Sequence, residues 1–338
     1  MSVSGLLTLS AAVYLLAGCS PRVATSFWKI GTEADSVRPG YAVMAEGKKV
    51  RHCYPITEWT DTMPNYVGKN DTYHSLHHHG VAVESELMAY RIYFDKKQTI
   101  DPYCKRKPQL ELAQSHWYPN DSLLAEGYGD DILRVSGTIG VGSVKYWNGK
   151  KQVHIEPVAE RSQRIVSKKK NEATIEVAVK GWTPVLPEDQ KTSRPVDFTT
   201  RYTMLAGHRD MRCDVSLSEA VDGLCTGVQT IPAKGENLQS SIFNLQLPNG
   251  VLLASFGTDW PVNDSAKYAK ETVGLAVFIP KAYAGDIVQD KQNLLCLLKG
   301  ANPHFYLTCV GATKENHPVA RTAEEWLTYL RRWAKHLR

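Results

Sequence analysis

The sequence predicts an all-β protein: a large antiparallel two-sheet β-sandwich with a single C-terminal helix. Three observations carry this. Short segments rich in branched and aromatic residues recur at roughly 8–12 residue spacing from residue 80 onward. Turn signals separate them, including Asn148-Gly149, Gly207-His208 and Pro248-Asn249-Gly250. Helical periodicity is convincing in one place only, at the C-terminus.

Taken in order, residues 83–94 form the first strand expected within the sandwich. Residues 99–105 contain Asp101-Pro102 and predict a loop carrying Asp101, Tyr103 and Lys105. Residues 131–144 predict a strand whose glycines mark bulges or close approach. Hairpins follow: 144–147 with 152–158, 161–167 with 173–182 around a turn at 168–171, and 197–205 with 210–217. Residues 241–247 pair with 251–256, and strands at 273–279, 293–299 and 305–310 complete about fifteen, a count suited to a large two-sheet sandwich. The helix spans 322–337. Thr322 and Glu325 have capping-box spacing, and Trp326, Leu330, Trp333 and Leu337 give one apolar face.

The N-terminus speaks to compartment. Residues 6–18 are apolar apart from Thr8 and Ser10, too short to span a bilayer comfortably. They end Leu16-Ala17-Gly18-Cys19, which reads as a lipoprotein signal with Cys19 as the lipidated residue, although residues 1–5 lack the usual Lys or Arg. The expected organisation is a signal over 1–18, a tether over 19–39 and one β-sandwich domain over 40–338. The protein is expected to be exported and lipid-anchored to a bacterial membrane, periplasmic or outer-membrane associated, touching the membrane only through that anchor. The net charge of +5 is spread along the chain, and Lys168 to Lys170 are followed by Glu172 and Glu176, which excludes a nucleic-acid patch. Six cysteines remain beside Cys19. Spacing suits Cys213 with Cys225 and Cys296 with Cys309 on neighbouring strands, but six cysteines allow fifteen pairings, and buried free thiols are the equal alternative.

Chemistry concentrates in residues 74–94. Four of the eleven histidines (His74, His77, His78 and His79) fall within six residues. Glu84, Glu86, Tyr90 and Arg91 follow. Histidine titrates near neutrality, so such a cluster suits proton transfer or metal binding. On one continuous strand, Glu84, Glu86, Met88 and Tyr90 would share a face and Ser85, Leu87, Arg91 and Tyr93 the other. His77 to His79 and the two glutamates could hold a divalent metal ion, although the histidine run lacks helical i, i+4 spacing. The cofactor therefore stays open. His116, Trp117 and Tyr118 form an aromatic-polar patch suited to stacking on a sugar or to a buried corner. Tyr128, Asp130 and Asp131 stand before the glycine-bearing segment and can bind sugar hydroxyls, hold calcium or make a turn. Arg201, His208 and Asp210 bring charge onto a further hairpin.

Two phrases, HHHGVAVESELMAYRIYFDKKQTIDPYCK (77–105) and EGYGDDILRVSGTIGVGS (126–143), resemble a family of exported bacterial lipoproteins known chiefly as a domain of unknown function. The resemblance covers most of the chain beyond the signal. It implies a galactose-mutarotase-like supersandwich, an origin in the polysaccharide-utilisation systems of Bacteroidota, and a link to uronic-acid polysaccharide breakdown, including dehydratase chemistry. It brings no catalytic residue set.

These readings favour a carbon–oxygen lyase or dehydratase acting by β-elimination on uronic-acid-containing oligosaccharides. Arg91 or Arg201 would neutralise the substrate carboxylate, His78 or His208 would act as base, and Tyr90, Tyr103 or Tyr128 as acid. His77, His79, Glu84, Glu86, Asp101, Lys105, His116, Trp117, Asp130 and Asp131 are candidate substrate contacts. The alternatives are a glycoside hydrolase pairing Glu84 or Glu86 with Asp101 or Asp130, and a non-catalytic sugar-binding lipoprotein.

Overall fold

The computed structural model describes residues 21–26, 41–45, 49–53, 76–115, 118–184, 194–231, 240–262 and 268–338. The signal, Cys19, His116 and Trp117 lie outside the described residues, as do the side chains of His77 and Cys53.

The described chain begins with β1 (Val23–Ser26) and a separate ribbon of β2 (Tyr41–Ala45) and β3 (Lys49–Cys53). Then come β4 (Gly80–Ser85), β5 (Met88–Tyr93), β6 (Ile100–Cys104), a short helix α1 (Asp121–Ala125) and β7 (Asp130–Asp131). A third group is β8 (Lys145–Trp147), β9 (Gln152–Val153), β10 (Glu160–Lys168), β11 (Glu172–Trp182), β12 (Val196–Leu205) and β13 (Met211–Leu217). The chain continues through β14 (Leu224–Gln229), β15 (Ser240–Leu247), β16 (Gly250–Asp259), β17 (Glu271–Pro280), β18 (Ala284–Gln289), β19 (Asn293–Leu298) and β20 (His304–Gly311), and ends in α2 (Ala323–Ala334).

The protein is an all-β antiparallel sandwich. One layer is an eight-stranded sheet in the order β10-β11-β12-β13-β20-β17-β16-β15. The opposing layer is two five-stranded sheets rather than the single sheet expected. The first, β1-β4-β5-β6-β7, lies over β10 to β12 and β20; the other, β18-β19-β14-β8-β9, lies over β16 and β17. Alternation along the strands explains the shared core. Ile175, Tyr202, Cys213, Phe305, Val277 and Leu253 point from the large sheet toward the small ones and join one continuous hydrophobic cluster. Burying such side chains stabilises by roughly 1.5–3 kcal/mol each.

The seam between the small sheets is the glycine-bearing segment. A strand was expected over 131–144, but only Asp130–Asp131 is one. Gly140 has φ +60, and a Cβ there would come within 2.3 Å of the Ile100 carbonyl oxygen. The segment turns away from extended geometry and makes two isolated bridges, Ile100 with Gly140 and Val141 with Val228, that stitch one small sheet to the other.

On the opposite face of the large sheet, α2 covers β16 and β17. Thr322 accepts from the Glu325 amide, and Glu325 returns a bond to the Thr322 amide, completing the predicted capping box. Trp326, Leu330 and Ala334 are fully buried, and Trp333 and Leu337 pack partly buried against the same cluster. Gly274 makes room, since a Cβ there would lie 2.8 Å from the Trp326 ring.

Cys104, Cys213, Cys225, Cys296 and Cys309 are buried free thiols. Neither favoured pairing lies on adjacent strands: Cys213 and Cys309 belong to the large sheet, Cys225 and Cys296 to the small sheet containing β14.

Candidate functional site

The continuous strand expected over 83–94 is a tight hairpin. Ser85 Oγ accepts from the Leu87 amide at 3.0 Å, closing a turn at Glu86-Leu87 between β4 and β5. No glycine marks it, so sequence reading passes through it. The turn inverts the expected faces. Glu84 now sits opposite Ala89, and Ala82 opposite Arg91, so Glu84 shares its face with Arg91 rather than with Tyr90. The loop expected at 99–105 is β6, which places Asp101 opposite Arg91 and Tyr103 opposite Ala89. Pro102 is tolerated because the next strand, β7, is only two residues long and stops opposite Tyr103.

These registers collect Glu84, Arg91, Tyr93, Asp101, Tyr103 and Asp131 on one face of the first small sheet. Arg91 is the centre. Its Nη2 donates to Asp101 Oδ2 at 2.5 Å and to Asp131 Oδ2 at 2.9 Å. Tyr93 donates its hydroxyl to the same Asp101 oxygen at 2.5 Å. The rings of Tyr103 and Tyr118 each lie 5.7 Å from the guanidinium carbon, within cation–π range. Arg91 and Asp101 are fully buried, while Tyr118 is 38% exposed and forms the outward side of the cluster. Among the described residues, Asp101 Oδ1 has no hydrogen-bond partner.

Burial sets the protonation chemistry. It drives the Asp101 carboxyl up to about 7, with the nearby Asp131 charge adding and Arg91 and Tyr93 opposing. Burial likewise raises Asp130 to about 6 and raises Asp131 against the pull of Arg91. Burial alone would pull Arg91 down, but the two aspartates more than reverse that. Two carboxylates sharing one cation in a dry site is an arrangement that splits acid from base.

A layer of loop covers the rest of this face. Lys105 bonds Glu84, and the two are each 1% exposed. Glu84 also accepts from the Glu111 and Leu112 amides at 2.9 and 3.0 Å. Glu111 accepts from the Gly129 amide at 2.9 Å, and Tyr103 donates to the Gly129 carbonyl at 2.9 Å. Glu84 and Lys105 therefore pin the covering loop. His78 Nε2 lies 2.7 Å from the Leu112 carbonyl oxygen. A carbonyl cannot donate, so Nε2 carries a proton. His79 stands edge-on to Tyr93 at 5.6 Å. His78 and His79 have φ of 55 and 60, a left-handed conformation costing about 1 kcal/mol each. Strain of this kind clusters at functional sites. Asp130 is buried but pairs with Cys104 and so points to the opposite face of the sheet, and Tyr128 is half-buried near Glu111, with its hydroxyl pKa raised by burial.

The other candidates lie apart. Tyr90 points into the core and donates to the Arg209 carbonyl at 2.6 Å. Glu86, in the turn, accepts from the Arg22 and Gly207 amides at 3.0 and 3.3 Å. His208 is half-exposed at the tip between β12 and β13, 3.2 Å from Asp210, whose hydrogen bond raises the imidazole pKa. Arg201 is on the exposed face of the large sheet, bonded to Glu176 at 2.6 Å. Among the described residues no group of three or more His, Cys, Asp or Glu side chains is placed to hold a metal ion.

Tyr93 and Glu111 are site residues that sequence reading did not select. The signal for Tyr93 was its i+2 spacing from Arg91, which puts both on one face of a strand. Glu111 had no local signal.

No curated protein sequence matches the chain. Among solved structures, a GH36 alpha-galactosidase, AgaB from Geobacillus stearothermophilus, aligns at 8% identity and a TM-score of 0.24. The alignment covers 69% of this chain but only 40% of that one, and so loose a likeness bears on neither fold nor function. A family model does match, over residues 29–338, and the chain belongs to the family described as a domain of unknown function, DUF4861.

Proposed function

We propose that this chain is an exported, lipid-anchored enzyme of carbohydrate breakdown that performs β-elimination on uronic-acid-containing oligosaccharides, with its acid–base centre at the Arg91 cluster. The observation that carries this reading is Asp101. It is a buried carboxyl with a pKa of about 7, one oxygen shared by Arg91 and Tyr93, and the other without a partner among the described residues. A general base works best when its pKa lies near the operating pH.

In the reaction, a base removes the proton α to the sugar carboxylate, the C–H electrons form the C4=C5 bond, the C4–O bond breaks, and the departing oxygen takes a proton. Asp101 and Tyr93 supply one proton-transfer pair. His78, held by its Nε2 bond to the Leu112 carbonyl of the covering loop, is the candidate second base. Arg91 and its tyrosine rings hold the local charge as the enolate develops. The substrate class comes from the family resemblance, and export comes from residues 6–19.

The test is ultraviolet absorbance of the unsaturated product while the purified chain is incubated with a panel of uronic-acid oligosaccharides, with and without chelator. Absorbance should rise, and Asp101→Asn should lower the rate by roughly 10²–10⁴-fold with native circular dichroism retained. New reducing ends without the chromophore would replace elimination with hydrolysis. Saturable binding with no product would make this a sugar-binding protein.

A further inference from the structure

A second cleft, of about 380 Å³, opens beside β9 at the edge of the other small sheet, between that strand and the turn joining β18 to β19. It shares no residue with the Arg91 cluster. Gln152, His154, Asp290, Lys151 and Lys291 are among its lining residues.

Each polar group can be accounted for in turn. Gln152 is only 9% exposed. Its amide nitrogen donates to the Gly137 carbonyl at 2.7 Å, which fixes the orientation of the amide. The amide oxygen, Oε1, is buried and has no partner among the described residues, and the same holds for His154 Nδ1. The Asp290 carboxylate is committed to the loop: it accepts from the Gln152 backbone N–H at 3.0 Å, the Gln292 backbone N–H at 2.9 Å and Asn293 Nδ2 at 2.8 Å. Glu156 faces Lys96 at 3.9 Å. Lys151 and Lys291 are exposed and have no ion pair among the described residues. Burial and the surrounding lysines hold His154 down to about 4, so its ring is neutral at physiological pH.

What remains is a buried carbonyl acceptor, a neutral imidazole and two uncommitted ammonium groups at the mouth. Buried polar groups are normally satisfied, and an unsatisfied pair inside a cleft points to a ligand that completes them. We propose that this cleft binds a hydroxylated carboxylate, the chemical class of a single sugar-acid residue, whose hydroxyls meet Gln152 Oε1 and His154 while its carboxylate meets Lys151 and Lys291. The ligand class follows from the groups lining the cleft, so the site stands whether or not the Arg91 cluster catalyses elimination.

The experiment titrates the full chain with D-glucuronate, D-glucose and acetate by calorimetry, and maps glucuronate binding by hydrogen exchange. Glucuronate should saturate and bind at least tenfold more tightly than either glucose, which lacks the carboxylate, or acetate, which lacks the hydroxyls. Protection should appear at 151–156 and 290–293. The exposed double variant Lys151→Ala/Lys291→Ala, which leaves the core untouched, should weaken glucuronate at least fivefold without changing glucose binding. Equal affinity for glucose and glucuronate, protection confined to 78–131, or an unaffected double variant would each overturn the site. The elimination assay reads the Arg91 cluster independently.

Discussion

Replacing Arg91 with methionine removes the cation shared by Asp101 and Asp131 while keeping most of the buried aliphatic volume. Arg91 and Asp101 side chains are 0% exposed and Asp131 5%. The two carboxyls left behind lose their partner in a dry environment, where breaking a buried pair costs roughly 3–5 kcal/mol. The exposed pair Arg212–Asp214, at 44% and 41% exposure, is the internal control; Arg212→Met should cost no more than about 1 kcal/mol. Urea unfolding near neutral pH reads both as a change in midpoint at constant m-value. The Arg91→Met cost should shrink as pH falls toward 5, because the stranded carboxyls take up protons. The triple variant Arg91→Met/Asp101→Asn/Asp131→Asn should recover most of the loss, since nothing charged is then left unpaired. A loss below about 1 kcal/mol, or one that does not change with pH, would mean the cluster is solvated and would refute the burial argument.

Other consequences can be measured on the same protein. Asp101 and Asp130 hold protons more tightly folded than unfolded, so their contribution to stability is present below pH 4 and falls as pH rises toward 6–7; Asp101→Asn should flatten that slope in urea titrations across pH 4–8. His154 has the opposite sign: its folded pKa of about 4 lies below the unfolded value, so stability is lost as pH falls below 6.5, and its imidazole NMR resonance should not titrate between pH 8 and pH 5. Thr322→Ala should cost about 1 kcal/mol by losing the helix cap, and Trp326→Ala about 3–5 kcal/mol by emptying the space over Gly274, both read by thermal unfolding. Cys104, Cys213, Cys225, Cys296 and Cys309 should resist a thiol reagent in the native state and react together on unfolding; rapid labelling of any of them without unfolding would contradict their burial.

The hairpins with Asn-Gly or Pro-Asn-Gly turns, the large sheet's alternating strands and the capped C-terminal helix were all legible. Each is specified by residues close in sequence, through turn dihedrals, side-chain period or a cap. The failures at the site share one cause. The Glu86-Leu87 turn is closed by a serine hydroxyl rather than by glycine, so 83–94 reads as one strand and Glu84 falls on the wrong face. Asp101-Pro102 carries a turn signature, yet β5 recruits it as strand β6, paired on its far side only by the two-residue β7. The strands β1 to β3, β14 and β18 went unread; β1 lies within the stretch expected as a tether, yet it pairs with β4. Leu224–Gln229 is buried on both faces, a pattern that does not alternate, and Ala284–Gln289 is a polar edge strand.

The sequence by itself therefore determined the class of fold, the concentration of ionisable chemistry within 77–131, and which residue types were present for acid–base work. Tertiary structure decided their grouping. It put Arg91, Asp101 and Asp131 in one buried cluster, sent Tyr90 into the core, and left His208 and Arg201 on other surfaces. The physical reason is register. One residue of shift in a strand moves a side chain to the opposite face, and that shift is set by turns and by pairing partners distant in sequence, such as Asp131 for Tyr103, which no local pattern of charge or hydrophobicity encodes.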